Sequence, residues 1–116
     1  MPIDLIDENY TYDFTHPSGA VFKLKHWTVG MQEEVDRTCV IPDGKGGFSY
    51  LASKERELKL KLALVGWNGV NIQGQEAPCT EENKARLPVG VIFSIIREID
   101  EKAGFRITDT EKKISI

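Results

Sequence analysis

His16, His26, Cys39 and Cys79 are the side chains that could act as bases, nucleophiles or metal ligands near neutral pH, and their spacing limits what they can do together. His16 precedes Pro17 in a turn-like "HPSG", and His26 closes the stretch "FKLKH". No HxH, HExxH or adjacent cysteine pair supplies the further ligands that zinc would need. Both histidines therefore read as surface or hairpin-edge residues. The two cysteines lack CxxC spacing and any flanking nucleophile signature, and they are too few for a disulfide framework. They read as reduced, small, semi-buried thiols.

The glycine run "DGKGG" has the composition of a phosphate loop without its order, because lysine precedes the second glycine and no Ser or Thr opens a helix behind it. Glu33, Glu34, Glu98, Asp100 and Glu101 fall on helix faces expected to be solvated, where no carboxylate would be forced into unusual ionisation. Lys54, Arg56, Lys59 and Lys61 do not share one helix face and are interleaved with Glu55 and Glu57. The whole chain carries a net charge of -3 from 15 basic and 18 acidic residues. A nucleic-acid stripe is not expected from that pattern. No catalytic, cofactor or metal role is assigned, and a protein partner is the remaining class.

These residues sit on a chain of 116 residues with 41% hydrophobic and 28% charged content. A domain of that size removes roughly two thirds of its unfolded surface from water, so one domain with a true core is expected. No run approaches the roughly 20 apolar residues of a membrane span, and the acidic start "MPIDLIDENY" is unlike a secretory signal. The expectation is a cytoplasmic protein.

Tyr10, Tyr12 and Phe14 alternate with polar residues, as do Phe22 and Leu24, and "HPSG" between them supplies turn chemistry. This predicts a β-hairpin over residues 10–27. Thr28 is a helix cap followed by Met31, Val35 and Cys39 on one face, and the helix should stop before Pro42. "PDGKGG" is loop by composition. "SKERELKLKLALV" alternates leucine and lysine like a strand, but it lacks glycine, proline and β-branched residues before Val65, and Leu58, Leu62 and Val65 follow a helical line. A helix capped by Ser53 and stopped by Gly66 is predicted. Thr80, with Glu81 and Glu82 behind it, opens a short helix that Pro88 interrupts. The final helix keeps Ile92, Ile95, Ile96, Ile99 and Ala103 on one face, with Gly104 as its stop. The fold class is thus α+β, an N-terminal β-hairpin packed on three to four helices, with residues 1–104 globular and residues 105–116 a polar tail.

The central run "LALVGWNGVNIQGQEAPCTEENKARLPVGVIFSIIREI" resembles the tail assembly chaperones and related small tail-assembly proteins of long-tailed phages and prophages. The resemblance is carried by Trp67, Gly69, Val70, Gly74, Thr80, Glu82, Asn83, Leu87 and the apolar helix from Val89. It departs at "NIQG", where relatives tend to be acidic, and at the early Pro88. It implies a non-catalytic protein that coats the tape-measure protein, helps recruit tail-tube subunits and is absent from the finished particle. Leu60, Leu64, Val91 and Phe93 lie outside a single intramolecular stripe, so they either meet the partner or a second copy in a homo-oligomer, or widen the core. The alternative role is a structural tail or head-tail joining protein that stays in the particle as a ring. The family also implies a longer form made by ribosomal slippage, and Glu111-Lys112-Lys113 admits a slippery adenine run, although adjacent lysines also suit a solvated tail.

Overall fold

A computed structural model describes residue 3, residues 5–7 and residues 9–104; the tail read at residues 105–116, with its slippage site, lies outside them. The predicted hairpin forms from β1 (Thr11–Thr15) and β2 (Val21–Lys25), paired antiparallel with Phe14 opposite Phe22 and Tyr12 opposite Leu24. Thr28 then caps α1 (Val29–Cys39), its hydroxyl accepting from the Met31 N–H at 3.2 Å. That bond satisfies one of the N–H groups that a helix start leaves unpaired. The helix turns Val35 and Cys39 inward, as its apolar spacing requires.

The next stretch departs from the predicted loop. β3 (Val40–Pro42) and β4 (Phe48–Tyr50) form a two-stranded ribbon around the glycine run. Asp43 organises its tip, with Oδ1 accepting from the N–H groups of Lys45 at 2.7 Å and Gly47 at 3.1 Å. Three-residue strands are too short to show alternation, so only the glycines were legible.

α2 (Ala52–Ala63) is helical as predicted, but its cap position is Leu51 rather than Ser53, with no side-chain cap bond. The helix also ends earlier than Gly66. From Leu64 the chain becomes β5 (Leu64–Asn68), which joins the hairpin to give a sheet of order β1-β2-β5. β5 pairs Phe22 with Trp67 and Lys23 with Gly66, then Leu24 with Leu64, leaving Val65 as an extra residue. This bulge explains how Leu64 and Trp67, three residues apart, both face the core. A regular strand would point them to opposite faces.

β6 (Asn71–Ile72) and β7 (Gln75–Glu76) form a tight ribbon, and α3 (Glu81–Lys84) leads to Pro88. Pro88 occupies the cap position of α4 (Val89–Lys102), where a missing N–H costs nothing. The core joins Phe22 and Leu24 of the sheet to Val35, Leu58, Ile95 and Ile99 of three helices. Among the described residues, four helices with antiparallel strands make this an α+β protein. Among the described residues, no helix is long and apolar enough to cross a membrane.

Candidate functional site

His16 is held in the hairpin turn, its Nδ1 2.8 Å from the Ser18 hydroxyl. His26 lies against the rings of Tyr10 and Tyr12, with centroids 5.6 and 4.7 Å away. Cys39 and Cys79 are both free. Burial raises both thiol pKa values, so at neutral pH each holds its proton and is a poor nucleophile. Burial, with a smaller contribution from Glu98, pushes the Tyr12 phenol up to about 12. Among the described residues no group of three His, Cys, Asp or Glu side chains is placed to hold a metal ion.

The residues that carry the resemblance do come together, as a packing unit. Trp67 lies in β5 rather than at a helix end, and it is only 6% exposed. Its indole N–H donates to the Ala77 carbonyl at 2.7 Å, and the Ala77 N–H returns to the Val70 carbonyl at 2.8 Å. The loop is thereby closed on the tryptophan. Between these points Gln73 and Gly74 both have positive φ, as a two-residue hairpin turn requires. Thr80 caps α3 by accepting from the Asn83 N–H at 3.1 Å, and the Asn83 side chain donates to the Pro78 carbonyl at 2.8 Å. Leu87 is buried behind them.

Gly69 has φ of +83°, and a Cβ there would come within 3.3 Å of the Ala20 backbone. Gly69→Ala is therefore expected to destabilise the fold by about 1–2 kcal/mol from the left-handed conformation alone. Urea denaturation tests this, and an unchanged midpoint would contradict it.

Leu60 and Leu64, read above as either partner contacts or a widening of the core, are 5% and 0% exposed. They belong to the core, Leu60 with a small part of its surface on a groove beside α2. Their surplus over one helical stripe is absorbed because α2 is covered by more than one neighbour and Leu64 has left the helix. Val91 is half-buried against the core, whereas Phe93 is 51% exposed and neighbouring Val89 more so. The Arg56 guanidinium stands 5.5 Å from the Phe93 ring centre, a cation–π distance. Beside α2, a groove of about 700 Å³ has Leu58, Leu60 and Ile92 among its apolar walls and Lys84, Glu34 and Glu57 among its charged ones. A second exposed apolar group lies on the β3–β4 ribbon.

Asp100, expected on a solvated helix face, is instead largely buried in an ion pair. The Lys59 side chain is 8% exposed, with Nζ 2.8 Å from Asp100 and 3.5 Å from Glu55. Lys84 is also buried, donating to the Leu60 carbonyl at 3.2 Å and to Glu81 at 2.7 Å. Both lysines tie α2 to the C-terminal helices, a role that helical periodicity alone cannot reveal. No protein family, curated protein or solved structure was found to match this chain.

Proposed function

We propose that this protein is a non-catalytic tail assembly chaperone of a long-tailed phage or prophage. It holds apolar helical segments of the tape-measure protein in solution and helps recruit tail-tube subunits. The reading rests on the resemblance of the Trp67–Leu87 segment. The observation that supports it most directly is Phe93, exposed on α4 against Arg56, which itself lines a groove with Leu58 and Ile92 among its apolar walls. An amphipathic helix laid along such a surface buries its apolar residues at about 25 cal/mol per Å² before the entropic cost of association. Charged residues on the groove walls would set its orientation.

Co-expression with the tape-measure protein encoded in the same replicon tests the reading. The expected result is a soluble complex and a chaperone missing from purified particles. Phe93→Asp should weaken that complex about 10-fold or more, the equivalent of one aromatic anchor, while the half-exposed position leaves thermal stability nearly unchanged. Retention of the protein as a ring in finished particles would replace the chaperone role with the structural one.

A further inference from the structure

Of the two outer edges of the β3–β4 ribbon, that of β4 keeps both its donors and its acceptors, and we propose that a second copy of this chain occupies it, pairing β4 with β4 across a two-fold axis at Ser49. All six ribbon residues are exposed, and Phe48 is 73% exposed. A two-stranded ribbon that buries so little is marginal by itself in water.

The hydrogen-bond parity identifies the residues whose backbone groups face outward. The Leu51 N–H donates to the Cys39 carbonyl at 2.9 Å, and the Asp43 N–H to the Gly47 carbonyl at 3.1 Å. With Ile41 opposite Ser49, alternation makes that pair hydrogen-bonded too. Val40, Pro42, Phe48 and Tyr50 therefore turn their backbone groups outward. On β3 this edge is poor in donors, because the Val40 N–H is taken by the Asp36 carbonyl and Pro42 has none. On β4, Phe48 and Tyr50 each present one N–H and one C=O.

Those four groups are self-complementary. With Ser49 opposite Ser49 of a second copy, Phe48 faces the other copy's Tyr50 as a hydrogen-bonded pair, and the symmetric pair repeats it. Four inter-strand bonds then satisfy all four groups. The same register sets Phe48 beside Tyr50 on one face, an aromatic cross-strand contact. Proteins normally blunt exposed edges with charge, proline or a bulge. β1 carries Asp13 at its middle, β3 carries Pro42 and β5 carries the Val65 bulge. The Phe-Ser-Tyr edge carries none of these. An isologous contact also closes on itself, so it gives a dimer rather than an open fibre.

The pairing follows from the ribbon alone and does not depend on the tail-assembly role. It is tested on the full chain by light scattering across a concentration series and by cross-linking. We expect a monomer–dimer equilibrium whose dissociation constant rises at least 10-fold in Phe48→Pro, which removes one outward N–H and no bond within the ribbon. In a Cys79→Ser background, Ser49→Cys should form an inter-chain disulfide on mild oxidation, since the two residues would face each other in a non-hydrogen-bonded pair with Cα atoms about 4.5 Å apart. Lys45→Cys, at the ribbon tip, should not. A monomer at every concentration overturns the proposal. So does a dimer that keeps its affinity in Phe48→Pro and gives no Ser49→Cys cross-link, or a monomer whose β4 edge binds only a strand from another protein.

Discussion

Trp67→Ala should lower stability by about 3–5 kcal/mol, the usual cost of truncating a large buried aromatic. Trp67 fills the space between the sheet and the loop, with its ring edge-on to Phe22 at 6.3 Å between centroids. The substitution also removes the donor that meets the Ala77 carbonyl at 2.7 Å. At roughly 4–8 °C per kcal/mol for a domain near this size, such a loss lowers Tm by about 12–40 °C and removes a large fraction of the roughly 5–15 kcal/mol that ordinary domains have. Trp67→Phe separates the two contributions. It keeps most of the ring and loses the N–H, so about 1–2 kcal/mol is expected if the Ala77 carbonyl finds no other partner. Urea midpoints at unchanged slope would measure both variants. A Trp67→Ala midpoint equal to that of the parent would show that the tryptophan does not anchor the loop.

The same residue shows where sequence reasoning reached its limit. Trp67 was expected behind a helix stop at Gly66, because leucine-rich composition and the absence of glycine extended the helix through Val65. Composition up to Ala63 does favour helix, and α2 occupies that stretch. Beyond it, alternation was the only available signal for a strand, and the extra residue at Val65 erased it. A bulge moves Leu64 and Trp67 to one face only when a partner strand is present. That information belongs to the pairing with β2 and not to the segment itself.

Elements with local causes were legible. The hairpin followed from period-two alternation around "HPSG", α1 from a threonine cap and four-residue spacing, and α3 from Thr80. The surplus apolar residues were harder, because helical periodicity gives a direction without saying which neighbours cover it. Leu60 and Phe93 looked alike in sequence and differ completely in exposure. Of the proposed contact residues, tertiary packing leaves Phe93 as the exposed one, next to Val89, which the sequence reading had used only to mark where α4 begins.

Asp100→Ala is expected to cost about 2–3 kcal/mol, while Lys59→Met combined with Asp100→Leu should cost little or stabilise. The single change leaves the Lys59 ammonium buried, with Glu55 at 3.5 Å as its remaining carboxylate. An uncompensated buried charge typically costs about 3–5 kcal/mol, and Glu55 together with the partial exposure at Asp100 offsets part of that. The double change replaces the Lys59 and Asp100 charges with apolar groups between α2 and α4, so neither of their desolvation penalties remains, and Glu55, with its side chain 29% exposed, is left to water. Adding Lys59→Met and Asp100→Leu as single variants completes a double-mutant cycle on denaturation free energies, which measures the coupling directly. If the double variant falls as far as Asp100→Ala, the ion pair contributes net stability beyond its desolvation cost. If it does not, the pair's contribution is to fix how α2 and α4 dock, because only one relative placement brings Lys59 to Asp100, whereas apolar side chains tolerate several. The second result is the one expected. The α2–α4 docking that carries the groove and Phe93 would then be specified by a contact that adds little to stability, and the Lys59→Met/Asp100→Leu protein should be as stable as the parent while binding the proposed tape-measure partner less well.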